Sequence, residues 1–104
     1  VSEIEKTYDV DVNDSAKLMM LEHITFLSQV SITAAEKLYE SFEKAFDSLS
    51  RFPHRCLVFE TPYTVFEYRR LVVDRYVLLF IIDAKKNIVH VEYIWDSRQE
   101  DYNG

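Results

Sequence analysis

The sequence predicts one α+β domain in which an N-terminal strand and a helical hairpin precede a mostly antiparallel sheet of three to four strands. Three observations predict it. Apolar residues alternate near the N-terminus, recur at helical spacing from Ala16 to about Leu49, and return to strand patterning after Pro53. The breaks between the later strand segments, Asp74-Arg75 and residues 83–87, are too short for a crossover, so those strands must pair antiparallel. The break inside the helical region, Ser31-Ile32, is equally tight and folds two amphipathic helices back on each other.

Each element follows from its residues. Tyr8, Val10 and Val12 alternate with Asp9 and Asp11, the pattern of a strand with one wet face. Asn13-Asp14-Ser15 offers three N-cap candidates in a row. A first helix over about 15–30 places Met20, Ile24, Leu27 and Val30 on one face, flanked by Met19, His23 and Phe26. Thr33-x-x-Glu36 reads as a capping box opening a second helix over about 33–50. Its stripe is Ala35, Leu38, Phe42, Ala45, Phe46 and Leu49, and Phe52-Pro53 stops it. Residues 54–62 fit either a loop or a short strand. Over 65–73 a strand places Phe66, Tyr68, Arg70 and Val72 on one face and Glu67, Arg69, Leu71 and Val73 on the other. Asp74-Arg75 is a two-residue turn without the preferred glycine. Residues 76–82 are apolar throughout, which predicts a central strand covered on both faces. Asn87 closes the next turn in the left-handed conformation. The last strand, 88–95, puts Val89, Val91, Tyr93 and Trp95 on one face and His90 and Glu92 on the other.

Length and composition bound the function. A chain of 104 residues makes one domain, 1–104, able to bury roughly two-thirds of its unfolded surface without staples. One cysteine, Cys56, cannot form an internal disulfide, which favours a reducing compartment and predicts a cytoplasmic protein. No apolar run approaches membrane-spanning length, and no membrane partner is expected. The net charge of −6 disfavours loose, nonspecific binding to nucleic acid. All six arginines lie in the second half, however, and a local arginine cluster would still hold a phosphate or a carboxylate. The single glycine, Gly104, excludes a glycine-rich phosphate loop, and no set of His, Cys and Asp has metal-ligand spacing. No cofactor or metal is expected.

The element order and its local text resemble the RelE/ParE toxin superfamily over about residues 8–102. The resemblance rests on Ala34-Ala35-Glu36-Lys37-Leu38 and Leu49-Ser50-Arg51-Phe52-Pro53, which bracket the second helix. Tyr68-Arg69-Arg70-Leu71-Val72-Val73 follows, then Arg75-Tyr76-Val77-Leu78-Leu79-Phe80-Ile81-Ile82-Asp83. Ile94-Trp95-Asp96-Ser97-Arg98-Gln99-Glu100-Asp101-Tyr102 closes the set. No single piece is specific; the ordered set is. The resemblance implies a RelE/ParE-like fold and the toxin half of a bacterial type II toxin–antitoxin pair, as in plasmid stabilisation systems. Members similar to RelE cleave ribosome-bound messenger RNA, and members similar to ParE poison DNA gyrase. Both are neutralised by a cognate antitoxin, the expected partner here, and a homodimer is compatible with the reading.

For the endoribonuclease (mRNA interferase) reading, the resemblance assigns Arg70, Arg75, Arg98 and Tyr102 as catalytic candidates. RNA cleavage by 2′-hydroxyl attack needs a base, an acid and cations for the phosphorane. Nuclease members carry an arginine where this chain has Val77; Arg75, two positions earlier, falls on the same strand face and is the candidate substitute. Arg98 has a plain alternative as the partner of Asp96 or Asp101. His90 reads as a partnered strand histidine, His23 as a helix-flank residue, His54 as a loop residue and Cys56 as a small buried hydrophobe. Arg70 and Arg98 favour the nuclease. The alternatives are a gyrase inhibitor without nuclease activity and a degenerate member that only binds a partner.

Overall fold

The structure, a computed structural model, describes residues 7–62 and 64–99. It runs from strand β1 (Asp9–Val12) through helices α1 (Asp14–Ser28) and α2 (Ile32–Leu49) to strands β2 (Leu57–Phe59), β3 (Tyr68–Val73), β4 (Tyr76–Asp83) and β5 (Ile88–Asp96). Short 3-10 turns stand at Pro53–Arg55 and Ser97–Gln99. The α+β prediction holds, with a sheet of five strands in the order β1-β5-β4-β3-β2. The fifth is β1, which pairs parallel with β5, Val10 opposite Val89. The other pairings are antiparallel. Patterning alone identifies a strand but not its neighbour, so β1's place at the sheet edge had no local signal.

The helices begin where side chains satisfy the first free amides. Asn13 caps α1, its Oδ1 accepting from the Ala16 amide at 2.8 Å. Ser31 caps α2, its hydroxyl accepting from the Ala34 amide at 3.1 Å. The Thr33–Glu36 capping box is therefore displaced: Thr33 already lies inside the helix, and the extended backbone of Ser31 makes it the cap. The guanidinium of Arg55 reaches back to donate to the carbonyls of Ser48, Arg51 and Phe52 at the C-terminal end of α2.

The helices differ sharply in how they meet the sheet. The predicted stripe of α2 is buried at Ala35, Leu38, Phe42, Ala45 and Leu49, with Phe42 against Tyr76 at 5.6 Å. In α1 only Ala16 is fully buried, while Met19, Met20, Ile24 and Leu27 pack at the edge of the core. Val30, read as part of that face, is 76 % exposed, because α1 stops at Ser28 and the chain turns away.

In the sheet, Tyr76 to Phe80 of β4 are buried on both faces, as the apolar run predicts. Strand β3 starts at Tyr68, not at 65; Val65 and Phe66 are exposed ahead of it. Asp74 and Asn87 adopt positive φ of 56° and 57° at the two turns, as does Phe52 at 51° before Pro53. The largest departure is in β5. Leu79 pairs with Tyr93 and Phe80 with Val91, leaving Glu92 as an extra residue, a β-bulge. Beyond it the alternation inverts: Ile94 and Asp96 join Val89 and Val91 toward the helices, while Tyr93 and Trp95 share the far face with His90. A one-residue offset moves every later side chain to the other face.

Candidate functional site

The bulge brings a carboxylate into the helix side of the sheet. Asp96, opposite Tyr76 at the end of β5, is only 6 % exposed. It is paid for by arginine. Arg98 donates its backbone amide to Oδ1 at 2.9 Å and its Nη2 to Oδ2 at 2.9 Å, with Nε 3.3 Å from both oxygens. Nε of Arg75 lies 3.6 Å from Oδ2. Hydrogen bonds from Arg98 hold the Asp96 carboxyl below its usual range against the opposing effect of burial, and the same bond raises the Arg98 guanidinium.

Arg75 reaches this carboxylate from the β3–β4 turn, where positive φ at Asp74 redirects the chain. It therefore does not share the face of Val77, which the period-two reading assumed: Arg75 precedes the strand, its guanidinium lies 5.6 Å from the ring of Tyr76, and Ser97 donates its amide to the Arg75 carbonyl at 2.7 Å. His23 of α1 completes the cluster, its ring 4.8 Å from that of Tyr76. Burial lowers the His23 pKa, with Asp96 pulling it up and Arg75 pushing it down.

Beside this cluster, between the hairpin and the β3–β4 turn, a cavity of about 360 Å³ is lined by Leu27, Ala34, Lys37, Leu38, Asp74, Arg75 and Tyr76. Its lining is apolar at Leu27, Ala34, Leu38 and Tyr76 and charged at Lys37, Arg75 and Asp74, so it can take an apolar side chain beside a charged one.

The structure thus brings Arg75 and Arg98 together and leaves Arg70 apart. Arg70 is exposed in mid-β3, opposite Leu57 and Leu79, on the face away from the helices. Val77, the position where nuclease members carry an arginine, lies on that far face too, between Val72 and Trp95, and is buried. Tyr102 lies outside the described residues. Arg69 is structural, donating to the carbonyls of His54 and Cys56 at 3.1 and 2.7 Å. His90 sits 3.5 Å from Asp11, a partnered strand histidine. Sequence reasoning assigned Asp96 no role beyond pairing with Arg98, because its burial depends on the bulge. It also passed over Lys37, which a helical projection places one turn from Ala34 and next to Leu38.

The comparisons agree with the architecture. The crystal structure of the archaeal RelE–RelB complex from Pyrococcus horikoshii is similar, with a TM-score of 0.59 at 14 % identity over 88 % of this chain and 96 % of that one. The RelBE2 toxin–antitoxin complex from Mycobacterium tuberculosis is similar with a TM-score of 0.61 at 21 % identity over 86 % of this chain and 91 % of the other. At these identities the likeness shows a shared fold. No curated protein matches the sequence. The family model described as the ParE toxin of the type II toxin–antitoxin system parDE matches residues 10–101. The chain belongs to the ParE toxin family of the RelE/ParE superfamily.

Proposed function

We propose that this toxin acts by binding its target, with DNA gyrase as that target, and that a cognate antitoxin holds it inactive through the basic cavity beside the hairpin. The observation that carries the first part is the placement of the arginines. Arg75 and Arg98 are spent on one buried carboxylate, and Arg70 stands on the opposite face of the sheet. Stabilising a phosphorane needs cations aimed at one point, and two guanidiniums turned onto Asp96, with Arg70 on the far face of the sheet, do not supply that. The valine at position 77 and the net charge of −6 point the same way.

The antitoxin part rests on the cavity lined by Leu27, Leu38, Tyr76, Lys37 and Arg75. An apolar anchor seated on Leu38 and Tyr76, with an acid beside it for Lys37, is the chemistry it selects.

The test of the target uses purified components. The chain should inhibit supercoiling by gyrase, and its induction in cells should arrest growth while ribosome-bound messages keep their native 5′ ends. Discrete new 5′ ends that disappear in Arg98→Ala would replace this reading with the nuclease. Unimpeded growth with folded protein present would leave a member that only binds a partner. Co-expression with the neighbouring reading frame should yield a copurifying complex; separate elution at micromolar concentration would remove the antitoxin part.

A further inference from the structure

The face of the sheet turned away from the helices carries a cavity of about 580 Å³ at the end nearer the β4–β5 turn. Phe66, Tyr68 and Ile81 give it an apolar lining, and Asp83, His90 and Glu92 give it a polar one. Tyr68 pairs with Ile81, Ile81 with His90 and His90 with Asp11, so one row of side chains crosses four strands here. Phe66 stands just ahead of β3 with its ring 60 % exposed, its amide donating to the Thr64 hydroxyl at 3.0 Å.

The polar groups are mostly acceptors held in place. The Tyr68 hydroxyl donates to Oε1 of Glu92 at 2.7 Å, a bond that pushes the tyrosine pKa up to about 12 and keeps it a donor. Nδ1 of His90 lies 3.5 Å from the Asp11 carboxylate; with a proton on that nitrogen, Nε2 is left as an acceptor for a ligand. Asp83 spends one oxygen on the Lys86 amide at 3.1 Å. Asp9 and Asp11, both exposed on β1, continue the acidic surface beyond the cavity. Lys85 also lines it and Lys86 follows, so four carboxylates face two lysines. Aromatic faces beside in-plane acceptors select a guanidinium, which stacks and donates at once, over a compact ammonium. We infer that this cavity receives an arginine side chain from an extended segment of a partner protein, stacked on Phe66 and Tyr68 and donating to Asp83, His90 and Glu92. The row from Tyr68 to Asp11 spans three strand spacings, ~14 Å. About four extended residues cover that distance, so a second arginine four places on would reach Asp9 and Asp11. The inference uses neither the toxic target nor the antitoxin.

Short capped peptides test it: a run of three threonines with arginine at both ends, and twins carrying lysine or the uncharged isostere citrulline there. NMR titration of the whole chain at low salt should show the arginine peptide binding about fivefold more tightly than the citrulline twin, given modest gains from two exposed pairs. The shifted amides should centre on Tyr68, Ile81 and His90. Asp83→Asn/Glu92→Gln keeps an acceptor oxygen for Lys86 and for Tyr68, so its circular dichroism should hold while the preference over citrulline falls below about twofold. Phe66→Ala, a change at an exposed ring, should erase the preference for arginine over lysine. Equal binding of the arginine and citrulline peptides, shifts centred on the hairpin, or a preference that survives the double variant would each overturn the proposal. Agmatine alone binding as tightly as the arginine peptide would overturn it in favour of a free small cation.

Discussion

The two sides of α2 carry opposite instructions on one helix. Toward the β3–β4 turn, Ala34, Lys37 and Leu38 combine with Arg75 into a basic cavity; toward the outer seam, Glu36, Glu40 and Glu43 flank an apolar trough. The buried stripe of Ala35, Phe42, Ala45 and Leu49 separates them and anchors both to the sheet. A helix of 18 residues therefore presents two chemically different surfaces beside the residues it buries. The difference teaches that net charge was a poor guide here. A chain with net charge −6 still places Arg75, Arg98 and Lys37 near one another at the β3–β4 turn.

The comparison breaks most readily through charge reversal. Lys37→Glu combined with Arg75→Glu should weaken antitoxin binding by about 10–100-fold, as expected when rim cations facing a partner's acids change sign. The Glu36→Gln/Glu40→Gln/Glu43→Gln variant should leave that affinity within about twofold, by calorimetry on the copurified pair. An equal loss from both variants would mean that the two sides form one site.

A second effect sharpens the role of Asp96. Asp96→Ala removes the acceptor of both Arg75 and Arg98 and should lower unfolding stability by about 1–2 kcal/mol in urea titrations. The loss falls below that of a fully buried pair because both guanidiniums can turn into water. Asp96→Asn should cost less, since it keeps one acceptor oxygen.

Acidity supplies a smaller effect. Asp96 titrates below its ordinary 3.8 in the folded chain, so the unfolded chain binds protons first. Its contribution is present above that value and is lost as pH falls through the lower folded one; Asp96→Asn should flatten the stability profile below about pH 5. His23, also lowered from 6.5, acts with the same sign at higher pH: stability should decline as pH falls below 6.5, and His23→Gln should remove that slope.

Much of the fold was legible because each signal was local. Asn13, the α2 stripe, the apolar run of β4 and the left-handed Asn87 all announce themselves within a few residues. What escaped depended on pairing between distant segments. Nothing in Asp9 to Val12 says that β1 lies parallel to β5, and nothing near Glu92 marks a bulge. The candidate site was half legible for the same reason. Arg98 beside Asp96 was a readable pair, whereas Arg75 joining it required a turn whose direction is set by positive φ at Asp74.

The extra residue in β5 also makes the strand unequal in what it can lose. Pairing counts two residues, Glu92 and Tyr93, against Leu79, so removing Glu92 leaves Val91, Ile94 and Asp96 facing the helices as before. The cost there is confined to the 2.7 Å hydrogen bond from the Tyr68 hydroxyl and the local bend. Removing Ile94 instead shifts Trp95 and Asp96 by one place, carrying the indole inward and the acid outward. Arg75 and Arg98 would then lose their shared partner in a single step. Parity along nine residues thus decides whether the basic end of the molecule is latched, and drift in the length of this strand is permitted at the bulge and forbidden on either side of it.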